Sequence, residues 1–174
     1  MHPSLLPGST AMVLIIMGVS GCGKTTIGRL LAGKRGAAFY DADDFHPEGN
    51  RQKMKSGKPL TDEDRLPWLQ RLHALIDEAI LQNRSIVLAC SALKKHYRDI
   101  LRGPHDSQVV FVHLAGSYDV IARRMQIRTD HYMPPALLAS QFSALEPPAD
   151  AITVSIEQTQ DEIVAAIERH LPPL

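Results

Sequence analysis

The stretch that decides the fold is Gly18-Val19-Ser20-Gly21-Cys22-Gly23-Lys24-Thr25, which follows the apolar run 13–17 and matches the pattern GxxxxGK[ST]. Its three glycines permit positive φ, so successive backbone N–H groups can point at phosphate oxygens at the positive end of the next helix. Lys24 is spaced to reach the β- and γ-phosphates, and the Thr25 hydroxyl can take a Mg²⁺ position. The stretch, with Thr26, therefore predicts a binding site for the triphosphate of ATP or another nucleotide.

Composition narrows the class of protein. The 174 residues carry 19 acidic and 19 basic side chains, so no overall field attracts nucleic acid or an anionic membrane, and neither is expected as a partner. Two cysteines, Cys22 and Cys90, are too few for a disulfide scaffold and are predicted to be small buried residues in a reducing compartment. We expect a cytoplasmic protein with a loose tail over 1–12 and a single domain over 13–174.

Short apolar runs alternate with helical patterns along the chain. Most of the runs are continuous, which is typical of strands covered on both faces. The predicted strands are 13–17, 37–40, 85–90, 109–114 and 151–156, and the predicted helices are 24–34, 61–80, 94–102, 118–128, 135–143 and 160–171. This order predicts an α/β fold, a three-layer sandwich with a parallel sheet and ligands at the carboxyl ends of its strands.

The clearest helix start is at Thr61. Thr61 and Asp64 have the spacing of a capping box, and apolar residues then recur every three or four positions. Pro67 is expected in the first turn, where the missing N–H costs no hydrogen bond.

Acidic residues follow the second predicted strand, in the sequence Asp41-Ala42-Asp43-Asp44-Phe45-His46-Pro47. If the strand continues, Asp41 and Asp43 project to the same side. Asp41 is then suited to Mg²⁺ or its waters, and Asp43 to accepting the proton of a substrate hydroxyl. The alternative is a solvated acidic loop in which Asp43 or Asp44 caps a helix.

Basic residues follow the third predicted strand. The strand does not end in the acidic residue typical of many ATPases, and Ser91 instead can hydrogen-bond at the start of a helix. Arg98 lies one turn beyond Lys94 and could offer a planar fork to a carboxylate. A solvated basic helix is the alternative.

Arg124 and Arg128 lie four residues apart on the helix predicted at 118–128, with no acidic residue between them. Their mutual repulsion would be relieved by an anion. We therefore predict that both belong to a lid, at about 124–140, that closes on the phosphates and stabilises the transferred group. Two surface arginines without a role are the alternative.

Several motifs together resemble the gluconokinase family of P-loop kinases. They are Gly18 to Thr25, Asp41 to Pro47, Asn50 to Met54, the run SGKPLTDEDRLPWL at 56–69, the run CSALKKHYRDILR at 90–102, and Gln141-Phe142. The resemblance implies a five-stranded parallel sheet of order 2-3-1-4-5, a homodimer, and transfer of the ATP γ-phosphate to the 6-hydroxyl of D-gluconate. Many relatives have Gly where this chain has Ala42, a difference that matters only if φ there is positive.

The resemblance also implies a set of residues for the acceptor. It brings in His46, Arg51, Lys58, Asp62 and Arg65, beside the candidates Asp43, Lys94 and Arg98. Lys24, Asp43, Arg124 and Arg128 are the predicted catalytic residues, and Thr25 and Asp41 the predicted metal ligands. A kinase for another small acid such as shikimate stays open, as does a nucleotide-dependent switch, although the guanine-binding NKxD motif is absent from the sequence.

Overall fold

The computed structural model describes residues 10–127 and 135–172. Within those ranges the chain forms five strands, seven α-helices and one short 3-10 helix. In chain order they are β1 (Val13–Met17), α1 (Lys24–Arg35), β2 (Ala38–Asp41), the 3-10 helix (Ala42–Phe45), α2 (Glu48–Lys55), α3 (Asp62–Leu81), β3 (Ile86–Ala89), α4 (Lys95–Arg102), β4 (Val109–Ala115), α5 (Tyr118–Ile127), α6 (Pro135–Ala144), β5 (Ile152–Ser155) and α7 (Gln160–Glu168). No helix in the described ranges is long and apolar enough to cross a membrane.

The five strands form one parallel sheet in the order β2-β3-β1-β4-β5. The predicted sheet and its strand order are confirmed, and the predicted strand ends are within one residue of those observed. Because β1 is central, the loop that follows it lies in the middle of the carboxyl edge, between the loops that follow β3 and β4. This edge is where ligands bind in doubly wound sheets.

Two apolar layers enclose the sheet. Leu14 and Ile16 of β1 pack with α1 and α7, whereas Val13, Ile15 and Met17 pack with α3 and α4. All five β1 side chains are buried, and burial of each such side chain stabilises the fold by about 1.5–3 kcal/mol. The central strand is thus fixed from both faces, which holds the loop after it in place.

The start of α3 is the predicted capping box. The Thr61 hydroxyl accepts from the Asp64 N–H at 3.1 Å, and the Asp64 carboxylate accepts from the Thr61 N–H at 2.8 Å. Lys53 also donates to Asp64, and this bond is the largest of the causes that lower the pKa of Asp64 to about 2. The expectation for Pro67 was wrong: it is the sixth residue of α3, in the second turn, where no N–H is available to bond the Glu63 carbonyl.

The chain after β2 also differs from the prediction. The strand does not continue past Asp41, because the Asp41 carboxylate accepts from the Asp43 N–H at 2.9 Å and caps the 3-10 helix. Ala42 is buried inside that helix, where φ is negative, so the methyl group in place of glycine causes no backbone strain. Helix α2 was not predicted, because its eight residues have almost no apolar pattern.

Candidate active site

The phosphate loop has the backbone conformation that the glycines predict. Gly18, Gly21 and Gly23 have φ of 148°, 81° and 99°. A Cβ at Gly18 would lie 2.6 Å from the Cys22 sulfur, so a side chain there would displace the loop. The Lys24 ammonium donates to the Gly18 and Val19 carbonyls at 3.0 Å each, which keeps it beside the loop whose N–H groups would hold phosphate.

Two carboxylates face this loop. The Thr25 hydroxyl lies 3.4 Å from an Asp41 carboxylate oxygen, so these predicted metal ligands are adjacent. Asp43 follows in the 3-10 helix. Desolvation raises the pKa of its carboxyl and the charge of Asp41 raises it further, while Lys24 opposes the shift. A carboxylate of raised pKa beside the phosphate lysine is suited to accept a proton from an alcohol.

The two cysteines are buried free thiols, as predicted. Burial raises the pKa of Cys22, and it raises the pKa of Cys90 to about 12. Since the thiolate is the nucleophilic form, neither side chain is suited to covalent chemistry.

The acceptor candidates lie in different surroundings. His46 is buried against Trp68, with ring centroids 4.2 Å apart. Arg51 is exposed, but its guanidinium donates to the carbonyls of His46, Asp43 and Asp44 at 3.3, 3.4 and 3.0 Å. Lys58 is exposed in the turn between α2 and α3.

Lys94 belongs to a polar cluster between the starts of α3 and α4. Its ammonium lies 3.2 Å from the Asp62 carboxylate, which also accepts a short hydrogen bond from the Tyr97 hydroxyl. The bond from Tyr97, and next that from Lys94, lowers the pKa of Asp62. Arg65 donates to the Tyr97 oxygen at 3.2 Å. The cluster holds the starts of α3 and α4 together beside the carboxyl edge of the sheet and leaves Lys94 partly exposed.

The prediction that Arg98 offers a free fork to a carboxylate is corrected. Arg98 is 4% exposed, and its two terminal nitrogens donate to the carbonyls of Ala92, Leu93 and Glu146 at 2.7, 3.1 and 2.8 Å. The Glu146 carboxylate in turn accepts from the N–H of Lys95 at 2.7 Å, so it takes the capping role expected of Ser91. Arg98 therefore holds the loop after β3 in place.

Helix α5 packs on the phosphate loop. A Cβ at Gly21 would lie 2.6 Å from the Met125 sulfur, and Arg124 donates to the Ile156 carbonyl at 2.6 Å. Arg124 also contributes to the electrostatic field at Cys22 of the loop. Its predicted partner Arg128, and most of the predicted lid, lie outside the described residues.

A contact that the sequence did not predict joins α6 to the phosphate loop. The Gln141 side-chain oxygen accepts from the Ser20 N–H at 2.7 Å, and its amide nitrogen donates to the Ser20 hydroxyl at 3.0 Å. Gln141, Trp68 and Glu146 had no role assigned from sequence, and the only signal for Gln141 and Trp68 was their presence in the family motifs.

We expect Gln141→Ala to lower the free energy of unfolding by about 1–2 kcal/mol, because it removes two hydrogen bonds to the phosphate loop. Urea unfolding measures the change. Ser140→Ala is the matched control, since Ser140 is exposed on the same helix and bonds only within it, to Leu137. Equal stability of the two variants would contradict a bracing role for Gln141.

The fold and the phosphate loop define the class of protein, a P-loop kinase. The family model for shikimate kinase matches residues 20–169. The similar individual proteins carry another name. A probable gluconokinase of Mus musculus is 49% identical, over 89% of this chain and 95% of that protein. The thermosensitive gluconokinase of Escherichia coli K12 is 53% identical, over 77% and 71%.

A solved structure agrees. The gluconokinase from Sinorhizobium meliloti 1021 superposes with a TM-score of 0.81 at 41% identity, over 91% of this chain and 93% of that one. The chain belongs to the gluconokinase family.

Proposed function

We propose that this chain transfers the γ-phosphate of ATP to the 6-hydroxyl of D-gluconate, giving 6-phospho-D-gluconate and ADP. The observation that carries the proposal is that the donor and acceptor halves meet. The Thr25 hydroxyl lies 3.4 Å from the Asp41 carboxylate, which bonds the Asp43 N–H at 2.9 Å, and the charge of Lys24 opposes the rise that desolvation causes in the pKa of Asp43. The names of the similar proteins support gluconate as the acceptor.

The donor half is residues 18–26. When ATP binds, the Lys24 ammonium exchanges the Gly18 and Val19 carbonyls for phosphate oxygens. The loop N–H groups bind the other oxygens of the triphosphate. Arg124 and Arg128 stabilise the charge of the moving phosphoryl group. Positioning and electrostatics supply most of the catalysis in such a transfer.

The acceptor half consists of the segment after β2 and the start of α4. Asp43 accepts the proton of the 6-hydroxyl as that oxygen attacks the γ-phosphorus, and ADP leaves. His46, Arg51, Lys58 and Lys94 bind the polyol and its carboxylate. Arg98 holds the loop after β3 without contacting substrate, since it is buried and both its terminal nitrogens are bonded to carbonyls.

Mg²⁺ is the cation we propose for the site. In the described part of the chain no group of three or more His, Cys, Asp or Glu is arranged to hold a metal. The Thr25 hydroxyl and Asp41 carboxylate are hard oxygen donors beside the phosphate loop, which fits a cation that also binds phosphate. When bound, Mg²⁺ neutralises phosphate charge.

Asp41→Asn is expected to raise the Mg²⁺ concentration for half-maximal rate by about 10- to 100-fold. Asparagine keeps an oxygen for the Asp43 N–H and loses the charge and the second carboxylate oxygen, which faces Thr25. The measurement is a Mg²⁺ titration of rate, with Asp44→Asn as the control because Asp44 is exposed in the same 3-10 helix. An unchanged Mg²⁺ requirement would contradict the proposal that Asp41 is a metal ligand.

We further propose a homodimer in the cytoplasm without nucleic-acid or membrane partners. The balanced charge and the two buried free thiols support the location and the lack of such partners, and the homodimer rests on the family resemblance.

The test of function is a coupled assay of ADP release with ATP, Mg²⁺ and a panel of acids that includes gluconate and shikimate. We expect turnover with gluconate and at least about 100-fold lower kcat/KM with shikimate, because a site built for the hydroxyls of one polyol leaves polar groups unpaired with another. Preference for shikimate, or nucleotide binding without turnover of any acid, would overturn the proposal.

A further inference from the structure

His46 is held rigidly although it lies in a short connection between the 3-10 helix and α2. Its ring stacks on Trp68 with the planes 12° apart. The Trp68 indole N–H donates to the Ala42 carbonyl at 2.7 Å, which fixes the stacking partner in turn. Packing therefore fixes the plane of the imidazole. The position of its proton then decides which ring nitrogen donates a hydrogen bond and which accepts one.

Asn50 determines the position of that proton. Its side-chain nitrogen Nδ2 donates to the Asp64 carbonyl at 2.8 Å and lies 3.3 Å from His46 Nδ1. A carbonyl only accepts, so the atom of Asn50 that faces Asp64 must be the nitrogen and not the oxygen. An amide nitrogen only donates, so His46 Nδ1 is the acceptor, and the proton of the neutral ring lies on Nε2.

The ring is neutral near neutral pH. Burial lowers the pKa of His46 to about 4, and the charges of Arg65 and Arg51 contribute in the same direction. Among residues 10–127 and 135–172, no group accepts a hydrogen bond from Nε2, so this N–H is not used within the described fold.

We propose that Asn50 is a positioning residue that holds His46 as the neutral Nε2–H tautomer, so that His46 presents a hydrogen-bond donor to an oxygen of the polyol acid. This rests on the proposed function. Two residues of the segment after β2 then have different roles. Asp43 accepts a proton, whereas His46 donates a hydrogen bond and does not act as a base.

The other tautomer would turn a lone pair toward the substrate oxygen. Opposite a carboxylate oxygen, that lone pair leaves both acceptors unsatisfied, which costs more than the loss of one hydrogen bond; opposite a hydroxyl, it reverses the direction of the bond. Asn50, which is buried, therefore influences gluconate affinity without touching gluconate.

The direct test is the ¹⁵N NMR spectrum of the histidine rings in the intact protein, with His46 identified by its absence in His46→Gln. We expect Nδ1 at the shift of an unprotonated nitrogen and Nε2 at that of a protonated one. A protonated Nδ1, or a charged ring at neutral pH, overturns the proposal whether or not the protein phosphorylates gluconate.

A double-mutant cycle tests the consequence. Asn50→Ala should raise KM for gluconate about three- to tenfold and leave KM for ATP unchanged. In a His46→Gln background the introduced side-chain amide is a donor without any tautomer, so Asn50→Ala should then have little effect on KM for gluconate. Equal effects in both backgrounds would reduce Asn50 to a structural role and overturn the inference.

Discussion

Asp43→Asn is expected to lower kcat for gluconate phosphorylation by about 10²- to 10⁴-fold, with KM for ATP changed by less than about twofold. Asparagine keeps the size and hydrogen-bonding capacity of the side chain but cannot accept the proton of the attacking hydroxyl. Desolvation and the negative charge of Asp41 raise the pKa of Asp43, so the ionised group is a stronger base than an ordinary carboxylate. Steady-state kinetics with each substrate varied in turn measures the effects on kcat and on KM for ATP separately.

The pH dependence of kcat and the stability of Asp43→Asn show whether the variant lacks the catalytic base or is less well folded. Only ionised Asp43 accepts a proton, so wild-type kcat should fall as pH falls through its raised pKa, and this acid limb should disappear from the residual activity of Asp43→Asn. A carboxyl whose pKa is raised on folding disfavours the folded state above its unfolded pKa, so the variant should be no less stable at neutral pH. Asp44→Asn changes the next residue of the same 3-10 helix, which is exposed like Asp43, and should be nearly fully active. A loss below tenfold in Asp43→Asn would remove Asp43 as the base.

Arg124→Ala should lower kcat by about 10³-fold or more, the effect of an arginine that stabilises a transferred phosphoryl group. Arg124 extends from α5, which packs on the phosphate loop through Met125, and one of its guanidinium nitrogens is bonded to the Ile156 carbonyl in this structure. Among the residues that the structure describes, none accepts from its other guanidinium N–H groups, so these can donate to phosphate oxygens. Pre-steady-state measurement of the chemical step isolates this effect from product release.

Two further variants control the Arg124 experiment. Arg123→Ala removes an exposed arginine from the preceding position of the same helix and should retain nearly full activity. Arg124→Lys keeps the charge and loses the planar fork, so an intermediate rate is expected. If Arg124→Ala raised only KM for ATP, Arg124 would bind the nucleotide without stabilising the transition state.

The fold could be predicted because its determinants are local. The run 13–17 is apolar at every position and short, which indicates a strand covered on both faces, and the glycines after it permit the positive φ that the phosphate loop requires. The start of α3 was also predictable, since both partners of its capping box are three residues apart.

The errors and omissions concern groups that meet only in three dimensions. Arg98 bonds to the nearby carbonyls of Ala92 and Leu93, which residue identity does not reveal, and to the Glu146 carbonyl, which lies 48 residues away along the chain. Gln141 and Ser20 are separated by 121 residues. The Asp41 cap illustrates a different failure: two carboxylates at alternate positions suggest a strand, yet one of them ended it by bonding the backbone of the other.

The most direct test of the central claim is the ³¹P NMR spectrum of the product that the purified protein forms from ATP, Mg²⁺ and gluconate. A phosphate on the 6-hydroxyl is a monoester of a primary alcohol, so proton coupling to the adjacent methylene should split its resonance into a triplet, beside the signals of ADP. A doublet would assign the phosphate to a secondary hydroxyl, and inorganic phosphate alone would mean hydrolysis of ATP; either result would contradict the account.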